Sequence, residues 1–205
     1  RVGMQARPWT GATLNTSLEQ RGSEYGPRLF ANAGLMQNWR VSNDWSVNAS
    51  LDSSATIRHP GDTPLGVTLP SASASSEDFT AVSLGATRQH EDWSWTSRVE
   101  HRTSKAEDKW GLYSSAAGEA REGLGLSARL QLFETQSVTG DEGTTADLRL
   151  GLVHRPFARR WTVLNRTDLS VETQKGGASE FDNWKFVNNV LVNYRRKSSQ
   201  VSTYY

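Results

Sequence analysis

His59, His90, His101 and His154 are the residues of this chain best suited to move a proton or hold a metal near neutral pH. A metal site needs such residues paired at ligand spacing, as in H-E-x-x-H on one helix face. No pair of that kind occurs. His59 stands in a long polar stretch, and His90 and His154 stand beside short turns. Serine is abundant, yet no G-x-S-x-G elbow presents one to a base. Gly176 and Gly177 are followed by no strand-to-helix switch, so they read as a turn rather than a phosphate cradle. The chain has no cysteine, which removes thiol nucleophiles, disulfides and cysteine-based zinc sites. The expectation is a protein without a catalytic site, cofactor or metal. The polar residues that remain informative are charges at alternating positions. Arg98, Glu100 and Arg102 share one segment; Arg129, Asp147, Arg149, Arg166, Asp168 and Glu172 come from the next three to alternate so clearly. Their signs are mixed, and neighbouring antiparallel strands would bring them within cross-strand reach. That predicts a mutually neutralising ladder on a wet wall. The alternative is a charged constriction that selects solutes.

The elements that would hold these charges are strands. In 146–154 the apolar residues are Ala146, Leu148, Leu150 and Leu152, with Asp147, Arg149 and Gly151 between them. A period of two puts one set on each face of a strand. The pattern is cleanest in 45–57, where Trp45, Val47, Ala49, Leu51, Ala55 and Ile57 alternate with Ser46, Asn48, Ser50, Asp52, Ser54 and Thr56. Helical spacing and helix caps are missing, while Val, Thr, Ser and aromatics fill the segments. About twelve strands follow by this criterion: 2–9, 12–20, 29–39, 45–57, 79–88, 93–103, 109–117, 123–133, 146–154, 161–171, 183–194 and 199–205. The seventh is the weakest, because SSAAGEA also fits a helical turn. The stretch 58–78 is too long for a hairpin and carries no period.

Composition agrees with strands that have only one apolar face. The hydrophobic fraction is 36% and the mean hydropathy −0.62, low for a two-sided core. Eight Trp, six Phe and five Tyr nevertheless argue against disorder. A net charge of +1 provides no field for nucleic acid. No run of apolar residues is long enough for a transmembrane helix, and RVGMQARPW has no signal-peptide core.

Short and long connections alternate along the chain, and Trp9, Trp39, Trp45, Trp93, Trp161 and Tyr194 sit beside the short ones. Trp110, Phe133, Trp184, Phe186 and Tyr205 form a looser set near the long ones. Amphipathic rings favour the two surfaces of a bilayer. The expected fold class is therefore all-β, an antiparallel transmembrane β-barrel with a polar lumen, as one domain over 1–205. On this reading both chain ends lie on the long-loop side. Single-chain bacterial barrels keep theirs in the periplasm, so an internal fragment of a barrel of about 14 strands or more is expected. In the eleventh strand Asn188 falls on the apolar face, a conflict that needs a partner or a bulge.

The order GL-x-HRP, RW-x-VLNR-x-DL and VNN-x-x-x-NY, here Gly151 to Tyr194, resembles the C-terminal barrel regions of very large repeat-containing surface proteins of Gram-negative bacteria. So do WGLYSSAAGEAREGLGLSARLQLFETQ and FVNNVLVNYRRKSSQ. The likeness covers the last half of the chain well and the first half by pattern alone. It implies an outer-membrane barrel that anchors, or helps export, a larger cell-surface region, with lipid, further strands of the same protein or other subunits of a surface assembly as partners. Two other functions fit the residues: a porin-like channel for small polar solutes, and a soluble carbohydrate-binding β-sandwich that uses exposed tryptophans such as Trp93 and Trp95.

Overall fold

A computed structural model describes residues 1–21, 28–58, 78–156, 160–176, 180–196 and 199–204. Its strands are β1 (Val2–Ala6), β2 (Ala12–Arg21), β3 (Arg28–Arg40), β4 (Trp45–Arg58), β5 (Phe79–Gln89), β6 (Trp93–Ser104), β7 (Glu107–Arg121), β8 (Leu124–Ser137), β9 (Glu142–His154), β10 (Trp161–Lys175), β11 (Phe181–Arg196) and β12 (Ser199–Tyr204). They form one sheet in strict sequence order, each strand antiparallel to the next. The described residues contain no helix and no second sheet, so nothing packs on either face as the other half of a sandwich would. No ladder joins β1 to β12 among them.

All twelve expected strands are present, most of them longer than the period alone suggests. The first is shorter: it ends at Ala6, before Pro8. SSAAGEA, ambiguous in sequence, lies inside β7. Its small residues suit a strand here because bulky neighbours occupy the space beside them. Gly118 lies so close to the Trp93 Cβ and the Asp92 carbonyl that a side chain at this position would collide with both. The strand ends in a bulge between Glu119 and Arg121 and a tight turn at Gly123, whose φ of 73° favours glycine. The Glu119 carboxylate accepts a hydrogen bond from the Gly123 N–H at 2.6 Å.

The alternation of short and long connections is less regular than expected. SKAED makes a tight hairpin between β6 and β7, in which the Ser104 hydroxyl accepts from the Ala106 and Glu107 N–H groups. The connection from β8 to β9 is also compact, closed by Ser137, Thr139 and Asp141. A side chain that caps its own turn shortens a connection that polarity alone reads as a loop. The stretch 59–77, which contains His59, lies outside the described residues.

Register carries one face through the whole sheet. Val2 pairs with Leu18, Leu18 with Ala31, and Ala31 with Ala55. Leu51 pairs with Val82, Leu84 with Val99, and Val99 with Leu112. Leu112 pairs with Leu132, Leu132 with Ala146, Ala146 with Val171, and Val171 with Trp184. Directly paired residues share a face, so this set is a single apolar surface from β1 to β11. The opposite surface is polar.

The apolar surface is exposed, and on β5 it is far more exposed than the polar one. On β5, Val82 and Leu84 are 54% and 58% exposed, while Ala81 and Ser83 on the polar face are 7% and 4% exposed. Among the described residues no large side chain is fully buried, and the buried apolar ones are Ala12, Phe30 and Ala81. The usual arrangement of a water-soluble fold, apolar inside and polar outside, is inverted.

Candidate functional site: the two faces of the sheet

Every charge singled out in the sequence lies on the polar face. Arg149 and Asp168 are directly paired across β9 and β10, and Arg166 is two residues along from Asp168. The Asp168 carboxylate accepts from Arg149 Nε at 2.5 Å and from Arg166 Nε at 2.7 Å. This is the charge neutralisation that mixed signs predict. Arg98 and Glu100 also pair, at 2.7 Å, but along one strand rather than across two. Both arginines of the Asp168 cluster are about half exposed, so each pair contributes on the order of 0–1 kcal/mol.

The ladder is incomplete in a way that charge alone does not reveal. Arg129 is directly opposite Arg149, a like-charge pair, and stacks over the Tyr113 ring at 5.1 Å. Arg102 lies 4.0 Å above Phe79, and Lys109 lies 5.2 Å from Phe133. Aromatic rings are thus partners for three cations on this face, and for Arg129 and Lys109 they stand where a carboxylate would among the described residues. The signal was present as parity: Tyr113 shares its face with Lys109, and Phe133 with Arg129. Asp147 and Glu172 form no ion pair with any described residue. Arg129, Arg149, Arg166, Lys185, Asp147 and Asp168 line a cleft of about 580 Å³ across β8 to β11.

On the apolar face, Trp39, Trp45, Trp93, Trp161 and Tyr194 all sit at the short-turn ends of their strands. Trp9 joins them from the β1–β2 turn, where its indole N–H donates to Gln37 Oε1 at 2.5 Å. Trp161 and Tyr194 are directly paired, with ring centroids 4.6 Å apart. Trp110, Trp184 and Phe186 occupy the other end of the same face. Phe133 does not belong with them: it faces the polar side, packed over Gly111. Tyr205 lies outside the described residues.

No protein-family model matches the chain, and no curated protein matches it either.

Asn188 has the partner that its position demands. On the apolar face its Nδ2 donates to Thr167 Oγ1 at 2.7 Å, and its Oδ1 accepts from Asn165 Nδ2 at 3.2 Å. Thr167 Oγ1 in turn lies 3.4 Å from Asn165 Oδ1. The three polar side chains close a ring on one another in the middle of an apolar surface. Register explains it: Thr167 is directly opposite Asn188, and Asn165 is two residues nearer the short-turn end on the same face.

Two of the described histidines have aromatic neighbours. His101 stacks on Trp110 at 4.2 Å, and His90 stacks on Trp93 at 6.4 Å. No group of three or more His, Asp or Glu among the described residues is placed to hold a metal. No helix of the described residues is long and apolar enough to cross a membrane, a statement that does not bear on strands.

Proposed function

We propose that this sheet is the wall of an outer-membrane β-barrel that anchors, or helps export, a larger cell-surface region. The observation that carries this reading is the exposed apolar face, continuous from strand to strand and bounded by aromatic rings at both ends. Burying that face in hydrocarbon removes its cost in water, and the polar face is then left to a wet lumen. The dimensions agree. Tyr194 and Trp184 are ten residues apart on β11, which at ~3.3 Å per residue is ~33 Å along the strand. A tilt of ~40° projects this to ~25 Å, the height of the apolar band of such barrels. The free edges of β1 and β12 would be closed by further strands of the same protein or by other subunits, since lipid cannot satisfy an open edge. The sequence resemblance of Gly151 to Tyr194 to barrel regions of large surface proteins points the same way.

Vesicle flotation and gel migration before and after boiling test the proposal together. The full chain should float with phospholipid vesicles and migrate faster unboiled than boiled. Recovery in the soluble fraction as a monodisperse species would overturn it.

A channel for small polar solutes is the second reading, favoured by one observation. Four cations against two carboxylates line the cleft on the polar face. Stable conductance steps in a planar bilayer would support this reading over a pure anchor.

A further inference from the structure

Arg88 is a cation on the apolar face. Its parity is that of Val82, Leu84 and Ala86, and it is directly paired with Trp45 on one side and Trp95 on the other. Its guanidinium carbon lies 5.4 Å from the Trp45 ring and 4.8 Å from the Trp93 ring. Trp45 and Trp95 meet edge to face at 5.8 Å, closing over it. Arg88 Nε is buried and has no hydrogen-bond partner. No carboxylate among the described residues is within ion-pairing reach of Arg88. Asp44, Glu91 and Asp92 are exposed in the two turns at this end of the sheet, the first of them in the turn whose Asp44 carbonyl accepts from the Gln89 N–H.

We propose that Arg88 and its three tryptophans bind the headgroup of a zwitterionic phospholipid, with the phosphate on Arg88 and the ammonium on Asp44, Glu91 and Asp92. This rests on the reading of the sheet as a membrane wall, and it goes further by assigning one headgroup chemistry to one place. A cation at the aromatic boundary of an apolar surface reaches toward the phosphate layer. The rings hold its stem and one face, and leave its N–H groups to an anion. The carboxylates lie on the water side of that layer, where the ammonium of a phosphoethanolamine extends beyond its phosphate. An anionic headgroup would meet the same carboxylates as repulsion.

The test uses the full chain folded in a maltoside detergent, which carries no phosphate, and titrated by native mass spectrometry. The probes are phosphatidylethanolamine, phosphatidylglycerol and diacylglycerol of matched chains. Phosphatidylethanolamine should bind tightest, and Arg88→Gln should weaken it about fivefold, the factor for one cation at a phosphate surface. Arg88→Lys should weaken it less. Replacing Asp44, Glu91 and Asp92 with their amides should reduce phosphatidylethanolamine to the level of phosphatidylglycerol. Unchanged binding in Arg88→Gln, or equal wild-type affinity for the two phospholipids, would overturn the site. Heat-modifiable migration confirms that each variant is folded, and Arg88→Lys answers the question if Arg88→Gln does not fold. Failure of the wild type to float with vesicles would remove the membrane reading and the site with it. Flotation with an indifferent Arg88→Gln removes the site alone.

Discussion

Asn188→Ala separates a lipid-facing surface from a water-facing one. The substitution deletes the 2.7 Å bond to Thr167 and the 3.2 Å bond from Asn165. In water both orphaned groups would be solvated at once, and an exposed substitution of this kind changes stability by no more than about 0.5 kcal/mol. In hydrocarbon no solvent takes over. Side-chain hydrogen bonds inside membranes contribute about 0.6 kcal/mol each on average and up to about 1.7, so two of them set the expected loss near ~1.2 kcal/mol. The triple variant Asn165→Ala, Thr167→Ala, Asn188→Ala removes donors and acceptors together and leaves little unpaired, so it should be closer to wild type than the single variant is. The assay is reversible urea unfolding in phospholipid vesicles, followed by tryptophan emission. A loss below about 0.5 kcal/mol for Asn188→Ala, or a triple variant markedly worse than the single, would refute the argument.

Other perturbations test the rest of the two faces. Asp168→Asn leaves Arg129, Arg149 and Arg166 without the carboxylate that holds two of them; it should cost about 1 kcal/mol in urea titrations at low salt and less at high salt. Arg149→Ala should scarcely move the reversal potential in planar bilayers, because Asp168 already neutralises much of that charge; a large shift would favour a selective pore. Gly118→Val forces a side chain into Trp93 and the Asp92 carbonyl, so a loss of about 1–3 kcal/mol is expected, read from the urea midpoint. Trp161→Ala removes the stack on Tyr194 and should cost about 0.5–1.5 kcal/mol beyond the lost area, with a matching loss when Tyr194→Ala is made instead.

Strand existence and facing were legible because a period of two is a local property of the sequence. Leu148, Leu150 and Leu152 declare their face without knowledge of any neighbour, and so do Arg149 and Asp168. What needs register was not legible. Nothing in FVNNVLV says that Asn188 will meet Thr167, since that depends on how β11 slides along β10. The same holds for Arg129, whose proximity to Asp147 and Arg149 suggested charge pairing while its ring partner is Tyr113 on β7. Arg88 was legible and easily overlooked: its parity is that of Val82, but a charged residue at a strand end reads as the start of a turn. The length of the connection between the eighth and ninth strands was not legible, because polar residues between 133 and 146 mark a tight hairpin and an open loop alike.

The strict sequence order of the strands means that every hydrogen-bonded neighbour is also a neighbour in the chain. A sheet of this kind is a zipper of hairpins, and no connection has to cross another. Adding or removing a whole hairpin at either edge would preserve which face is polar, because two antiparallel strands restore both direction and parity. The sheet is then free to widen in steps of two strands, while the chemistry of its two faces stays fixed.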